Sequence, residues 1–348
     1  MKEILPIVMN SQFERLAVID DYISFIWTTR YYTCGDFELC VDVNETNAEL
    51  FKEGYYIIRD DDENAGIIED INIQKTEDNQ ELLIISGRFL ASIIGRRIIA
   101  QQTIVSGTVS NCVNQLLTDA IVNPSIAARK ISNFILGTYS ISQTMQAQYT
   151  GNNLLEQISE ICQTYGIGFK VIFNDDNQFV FSLFEGTDHS YDQSVNPYIV
   201  FSDEYDNLIS SEYEENYQNI VTDVLVAGEG EGLDRRTLWV TKDGLTGLDR
   251  YEMYKDQRNL QSNDGEITDE EYDAQMREEG LESITTITTA FTGTVYFGNL
   301  EWKQDVNIGD ICVIENKKWG IYINSRLVEV IESVAETGEY SIVPTFGI

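Results

Sequence analysis

The chain has 348 residues, 43% of them hydrophobic and 11% aromatic, which is enough apolar material for packed cores and excludes a disordered protein. Its 58 acidic and 23 basic residues give a formal net charge of −35, which repels phosphate and argues against a reader of nucleic-acid sequence or a binder of anionic lipid. The single histidine, His189, excludes a multi-histidine metal site and most histidine-based catalysis.

The first hundred residues have the pattern of short β-strands joined by turns. Two β-rich runs, 55–59 and 67–73, flank the polar segment 60–66, which we expect to be a turn. A further strand is predicted at 81–86, closed by Gly87. Strands at this spacing are typical of a small barrel or sandwich.

Between about 106 and 195 the pattern becomes helical. Thr108 is a candidate N-cap for a helix that ends before Pro124, and a second helix is predicted from about Asn152 to near Gly166. The apolar residues that define these two helices are Val109, Val113, Leu116 and Leu117 in the first, and Leu154, Leu155, Ile158 and Ile161 in the second. Alternating apolar residues at 169–173 and 179–183 then predict a hairpin, so this region is expected to be a compact α+β domain.

From residue 198 onward the sequence is again typical of β-structure. The predicted strands are 198–201, 220–227, 284–297, 311–315 and 326–332. The segment 203–282 carries 23 acidic and 7 basic residues, nearly half of the net charge in under a quarter of the chain.

The segment from Asn263 to Glu271 has two interpretations. Aligned on Gly265, it resembles a calcium-binding EF-hand loop, but Leu260 then stands at the first ligand position, where the metal needs a carboxylate. The alternative is a helix start, in which Thr268 is the N-cap and Glu271 its partner in a capping box. The capping box is the favoured interpretation, and we expect little or no calcium binding here.

Four acidic residues in a row, Asp60, Asp61, Asp62 and Glu63, suggest either a cation site or the solvated tip of a hairpin. The hairpin tip is favoured, because turns select Asp and Asn for backbone reasons.

Other candidate sites are weaker. Pairs of carboxylates are able to hydrolyse glycosides, but with 58 acids such pairs have almost no specificity. No G-x-S-x-G elbow accompanies His189, which we place in a polar loop. The glycine-rich run 228–232 is acidic and lacks the lysine of a phosphate-binding loop. We therefore assign no catalytic, cofactor-binding or metal-ligand residue, and no cofactor.

The five cysteines do not form a C-x-x-C pair, and an odd number in a chain of this length is no disulfide framework. We expect buried, reduced thiols. The beginning of the sequence has no apolar run of the kind found in signal peptides, and no stretch approaches the roughly 20 apolar residues of a membrane span. The protein is expected to be made in the cytoplasm and to be soluble there.

An ordered set of motifs resembles a family of siphophage tail proteins. In the first half these are Trp27, the run 35–39 from Gly35 to Leu39, and Gly87 with Arg97. In the second half the resemblance lies in 184–188, 200–208, 217–219, 226–232, Arg235-Arg236, 250–252, 256–258 and the Gly309-Asp310 strand at 308–313. The resemblance covers essentially the whole chain.

The family is identified as the tail-hub, or baseplate-hub, proteins of long-tailed phages and prophages. The resemblance implies a β-rich α+β fold with two small β-barrel tube-type domains and an α+β insertion. Residues 1–105 would form the first barrel, with strands from about 196–228 as candidates to complete it. Residues 106–195 would form the α+β domain, and 196–348 the second barrel with an acidic, partly helical insertion at about 256–283.

The resemblance also implies a function, a structural one. Three copies would form a homotrimeric ring at the distal end of the tail tube, through which DNA passes without specific binding. Its partners would be the distal tail protein, the tube, the tape measure and receptor-binding proteins, in a virion assembled in the bacterial host cytoplasm. Since the chain ends at Ile348 without an appended hydrolase, no enzymatic role is expected. The alternatives are a carboxylate-based cell-wall hydrolase and a calcium-dependent adhesion module.

Overall fold

A computed structural model describes residues 4–76, 78–262, 267–285, 288–295 and 300–347. Within these ranges the protein has a β-rich α+β fold with 42% strand and 20% helix. The hydrogen-bonded pairing of the described strands closes no barrel, so the two expected barrels are observed as open sheets.

The described part of the first hundred residues forms eight strands, one short α-helix and, at Leu90–Arg96, a 3-10 helix. The strands and the α-helix are β1 (Ile7–Met9), β2 (Arg15–Val18), β3 (Ser24–Arg30), β4 (Asp36–Asp42), α1 (Glu45–Leu50), β5 (Tyr56–Arg59), β6 (Asp62–Ile67), β7 (Asp70–Lys75) and β8 (Glu81–Arg88). One sheet has the order β2-β1-β5-β6, and the other four strands begin a ten-stranded sheet in the order β3-β4-β8-β7.

The predicted turn at 60–66 is wrong in its extent. Only Asp60 and Asp61 turn the chain, and β6 then runs antiparallel to β5. The polar start of β6 hides its strand character in the sequence. In the fold, Asp62 is 1% exposed and is bound by a lysine and a tryptophan, while Ala65 and Ile67 enter the core.

The middle region confirms the predicted helices and hairpin. Its elements are β9 (Thr103–Thr108), α2 (Val109–Leu117), β10 (Phe134–Leu136), β11 (Thr144–Tyr149), α3 (Leu154–Tyr165), β12 (Gly168–Phe173) and β13 (Phe179–Phe184). The Thr108 side chain accepts a hydrogen bond from the Asn111 amide, as expected of an N-cap. Helix α3 ends at Gly166, which adopts the left-handed conformation with φ +67°.

The remaining residues form nine strands and the long helix α4. They are β14 (Val200–Ser202), β15 (Leu208–Asn216), β16 (Asp223–Ala227), β17 (Thr237–Thr241), β18 (Glu252–Asp256), α4 (Asp269–Ser283), β19 (Thr288–Val295), β20 (Ile311–Asn316), β21 (Ile321–Val334) and β22 (Tyr340–Gly347). The predicted strand 284–297 corresponds to β19, and residues 286, 287, 296 and 297 lie outside the described ranges.

Strand β21 connects the two ends of the chain. Its first half, 321–326, pairs with β20, and its second half, 329–334, pairs with β3. Strand β21 is therefore the direct partner of β3, the edge of the group β3-β4-β8-β7. Two strands from the segment 196–228 lie further along the same ten-stranded sheet, where β14 pairs with β20 and β15 with β19. The third, β16, pairs with β17 and β18 in a separate sheet.

Buried apolar side chains form three clusters. The largest runs without a break through the first and middle regions, the second lies under β14, β20, β21 and β22, and the third lies between α4 and the β17-β16-β18 sheet. The exposed surface is 18,044 Å², against about 14,000 Å² for a compact monomer of this size. All five cysteines are free and buried, as predicted. No helix in the described ranges is long and apolar enough to cross a membrane.

Helix α4 confirms the predicted capping box, since Thr268 and Glu271 bond reciprocally at its start. The proposed calcium ligands at 263–266 lie outside the described residues, and the Leu260 side chain is buried. Although acidic, α4 is buried on two sides. One side packs on the β17-β16-β18 sheet, and the other lies against β11 and α3.

An uncompensated carboxylate cluster lies between α4 and the middle region. Glu279 pairs with Lys255 at 2.9 Å, and the side chain of Glu282, which is 5% exposed, lies 3.9 Å from the same lysine and accepts a hydrogen bond from Tyr149. Burial, and then the neighbouring Glu279 charge, raise the pKa of Glu282 to about 8. Burial also raises the pKa of Glu278, bonded to Tyr165, and of Glu160 on α3.

We expect stability to fall as pH rises across this cluster. The folded state keeps the Glu282 proton up to about pH 8, whereas an unfolded glutamate loses it near about 4.3, so unfolding becomes easier between these values. Glu282→Gln should flatten the decline, as measured by urea denaturation from pH 5 to 9. Glu270→Gln, at an exposed position on the same helix, should keep the wild-type slope. An unchanged slope in Glu282→Gln would contradict the assignment.

Candidate functional site

A cleft of 810 Å³ lies where the first, middle and last regions meet. Its walls include the turn after β5, the hairpin β12–β13 and the loop before β20. The cleft brings together several motifs that carried the family resemblance, namely Gly35, Gly186 and Asp310, and Gly309 lies directly against Gly186. We take this junction as the candidate functional site.

A buried ion network lies at one side of the junction. Glu332 of β21 contacts Arg59 of β5 at 3.2 Å and Lys303 at 2.6 Å, and Lys303 in turn contacts Asp62 at 2.6 Å. The side chains of Arg59, Asp62 and Glu332 are each at most 1% exposed. Burial alone would raise the pKa of Glu332, but Arg59 and Lys303 outweigh it and hold that pKa well below its usual range.

The same network decides between the interpretations of the acidic run 60–63. Asp60 pairs with Arg15, Asp61 with Arg59, Asp62 with Lys303, and Glu63 with Lys170. Each carboxylate already has a basic partner, and no group of acidic, histidine or cysteine residues in the described ranges is suited to hold a metal ion. Asp60 and Asp61 form the tip of a hairpin, as predicted. Asp62 was expected to be solvated as well, but its side chain is buried.

Three glycines pack around one tyrosine at the centre of the junction. The Tyr31 ring lies against Gly168 and Gly309, where an added Cβ would overlap it. A Cβ at Gly186 would in turn overlap the backbone of Gly309. The Tyr31 hydroxyl accepts a hydrogen bond from the Gly186 amide at 3.3 Å, and the Arg326 guanidinium lies 5.3 Å from the ring centre. Only residues without a side chain allow this approach.

Asp310 holds the next turn of the same junction. Its carboxylate is buried and accepts hydrogen bonds from the amides of Thr187 at 2.7 Å and Asn307 at 2.8 Å. His189 is also buried, with Nδ1 at 2.8 Å from the Pro197 carbonyl oxygen and Nε2 at 3.6 Å from Asp310. The histidine lies in the loop between β13 and β14, as predicted, but its side chain is buried in the packing of the junction.

The motifs of the family resemblance include Gly186, Gly309 and Asp310. They do not include the charged residues of the buried network, Arg59, Lys303 and Glu332. The sequence contained one indication of a buried charge. Glu332 is the last residue of the predicted strand 326–332, and its side chain faces the interior. A charge at such a position indicates a buried partner. The partner itself lies 273 residues away and has no local signature.

Paired charges and close backbone contacts thus hold the junction together. The fold is that of phage tail proteins over the whole chain. A tail protein from Neisseria meningitidis MC58 aligns with 14% identity and a TM-score of 0.59, covering 100% of this chain and 97% of that one. A 43 kDa tail protein of prophage MuSo2 from Shewanella oneidensis has 12% identity, a TM-score of 0.58 and coverages of 99% and 97%.

A third similar structure is the prophage tail protein gp18 from Listeria monocytogenes EGD-e, with 13% identity, a TM-score of 0.54 and coverages of 99% and 94%. The model of the family described as Siphovirus ReqiPepy6 Gp37-like protein matches residues 5–348. The chain belongs to this family of phage tail proteins, as its motifs indicated. No curated protein matches it in sequence.

Gly309→Ala should destabilise the junction by about 3–4 kcal/mol, because the new methyl group is strained at φ +93° and overlaps Tyr31. Gly320→Ala is the matched control, with φ +72° and open space around it, and should cost about 1–2 kcal/mol. Urea denaturation measures both. Equal losses would show that backbone strain alone, and not the contact with Tyr31, makes Gly309 necessary.

Lys303→Met should cost about 2–3 kcal/mol, since it leaves Asp62 and Glu332 short of a cation in a largely buried network. The control is Lys317→Met, at a lysine with 60% exposure that pairs with Glu204, where we expect little change in stability because solvent screens the pair. Thermal and chemical denaturation give the comparison. A loss at position 303 no larger than at 317 would rule out a stabilising role for the network.

Proposed function

We propose that this chain is the hub subunit at the distal end of a phage or prophage tail tube, and that three copies form the hub. Strand β21 is the observation that carries the proposal. It joins two β-rich regions of one chain into a single ten-stranded sheet, so that each copy presents two such regions. Three copies offer six, which suits a hexameric tube under closed cyclic symmetry.

The structural comparisons support this assignment. The similarity in fold to tail proteins extends over almost the whole length of both chains. A Francisella PdpA–VgrG complex also has this fold, with 11% identity and a TM-score of 0.51, and covers 99% of this chain and 52% of that one. A fold that occurs in such complexes supports a role in assembly with other proteins. The partners we propose are the distal tail protein, the tube, the tape measure and the receptor-binding proteins.

The charge of the chain supports a conduit for DNA. Each Lys or Arg contact to a phosphate adds a salt-sensitive grip, whereas an excess of acid repels the duplex. The net charge of −35 is tripled in a ring of three copies. We propose that part of this charge lines the lumen, so that DNA passes without sticking, and that the rest keeps the surface soluble.

Enzymatic and calcium-dependent functions have less support. Of the acids that line the junction cleft, those of the run 60–63 are paired with basic side chains and Asp310 is bonded to backbone amides, which leaves these five unsuited to acid–base catalysis. We therefore propose a structural, non-enzymatic role at the tail tip of the virion, after assembly in the host cytoplasm.

The protein should assemble in threes. At low salt, repulsion between copies of like charge opposes association, so we expect a monomer that becomes a trimer at high salt or with its tail partners. Light scattering over a salt series measures the mass, and images of assembled tails reveal the symmetry at the tip. A stable dimer or tetramer at high salt would contradict the proposal.

A further inference from the structure

The three-stranded sheet β17-β16-β18 has one covered face and one face in solvent. Its inner face, with Val224 and Val240, packs on α4. Side chains alternate along a strand, so Leu225 points to the other face. The register places Leu225 directly opposite Trp239 on β17 and Tyr254 on β18. These three residues form a row across the outer face, with Trp239 44% and Tyr254 54% exposed.

An arginine holds each of the two aromatic rings. Arg250 lies 4.8 Å from the centre of the Trp239 ring and pairs with Asp223 at 2.5 Å and Glu252 at 2.6 Å. A similar arrangement is found at the Tyr254 ring.

There, Arg235 lies 5.9 Å from the centre of the Tyr254 ring, donates a hydrogen bond to the Tyr254 hydroxyl at 2.8 Å and pairs with Asp256. Arg258 pairs with the same Asp256 at 2.6 Å, so three guanidinium groups and three carboxylates surround the two aromatic rings and their charges cancel. We call this outer face the aromatic row.

We propose that the aromatic row binds a neutral β-1,4-linked glycan. Trp239 and Tyr254 stand on strands two inter-strand spacings apart, about 10 Å, which is also the length of two pyranose units in such a chain. Successive units of a β-1,4-linked chain are rotated by half a turn, so units two apart present the same face. Each ring would stack on the C–H face of a sugar, and the ion pairs would bond its hydroxyl groups.

Charge favours this ligand over others. The cancelled charges of the row attract neither a cation nor an anion, and the net charge of −35 repels polyanions. A single exposed aromatic residue is ordinary on a protein surface, whereas contiguous exposed apolar side chains mark binding sites. Because the family is one of phage tails, we assign the ligand to the glycan of the bacterial cell wall. Glycan binding to the aromatic row requires only one face of one copy, so it does not depend on whether three copies form a hub.

The test is titration calorimetry of the full chain with chitohexaose, a soluble β-1,4-linked N-acetylglucosamine chain, followed by co-sedimentation with purified peptidoglycan. We expect saturable binding that Trp239→Ala and Tyr254→Ala each weaken about tenfold. The matched controls are Trp319→Ala and Tyr322→Ala, since these residues are 46% and 55% exposed on the β20–β21 hairpin. They should leave binding within about twofold of the unsubstituted chain.

Three outcomes would overturn the inference. Absence of binding to both probes would remove it, as would equal losses in the controls, which would indicate general stickiness of exposed aromatic residues. Equal affinity for cellohexaose, which lacks N-acetyl groups, would overturn the assignment to the wall glycan. Circular dichroism of each variant verifies folding, and the oligomeric mass, measured separately, keeps this result distinct from that of the hub proposal.

Discussion

The contact between Glu332 and its two cations is the interaction on which the arrangement of this protein depends. Glu332 lies on β21, the strand shared by the two ends of the chain. It binds Arg59 on β5, in the sheet β2-β1-β5-β6, and Lys303 in the loop before β20. Removing such charges from water is costly, and only partners at short distance compensate for it. The network therefore favours one relative position of these segments and disfavours others, a selectivity that apolar contacts alone do not provide.

A second buried cluster differs from the first in that its carboxylates outnumber its cations. Around Glu332 the charges are balanced, and its pKa is held low. Between α4 and the middle region, Glu160, Glu279 and Glu282 share the single cation Lys255, and the pKa of Glu282 is raised. The first contact is thus secure at neutral pH, while the attachment of the acidic α4 segment weakens as protons leave. The chain combines a rigid junction with one contact that responds to pH.

The local elements were largely predictable. Thr108, Gly166 and the Thr268–Glu271 box act through neighbours within a few residues, and the apolar periodicity of α2, α3 and the β12–β13 hairpin depends on burial of one face. Prediction failed where the partner is distant. Asp62 looked like a solvated turn residue because Lys303, which neutralises it, lies 241 positions further along the chain.

By itself the sequence determined the fold class, the family and the absence of any strong catalytic motif, because composition, capping residues and ordered motifs are local properties. Only the tertiary structure decided that β21 pairs with β3. The same is true of the contacts among Gly186, Gly309 and Tyr31, and of the row that contains Trp239 and Tyr254. The reason is physical. Strand pairing is specified by backbone hydrogen bonds that every residue type except proline offers equally, so the choice of partner rests on the packing and charge of side chains that are brought together only by folding.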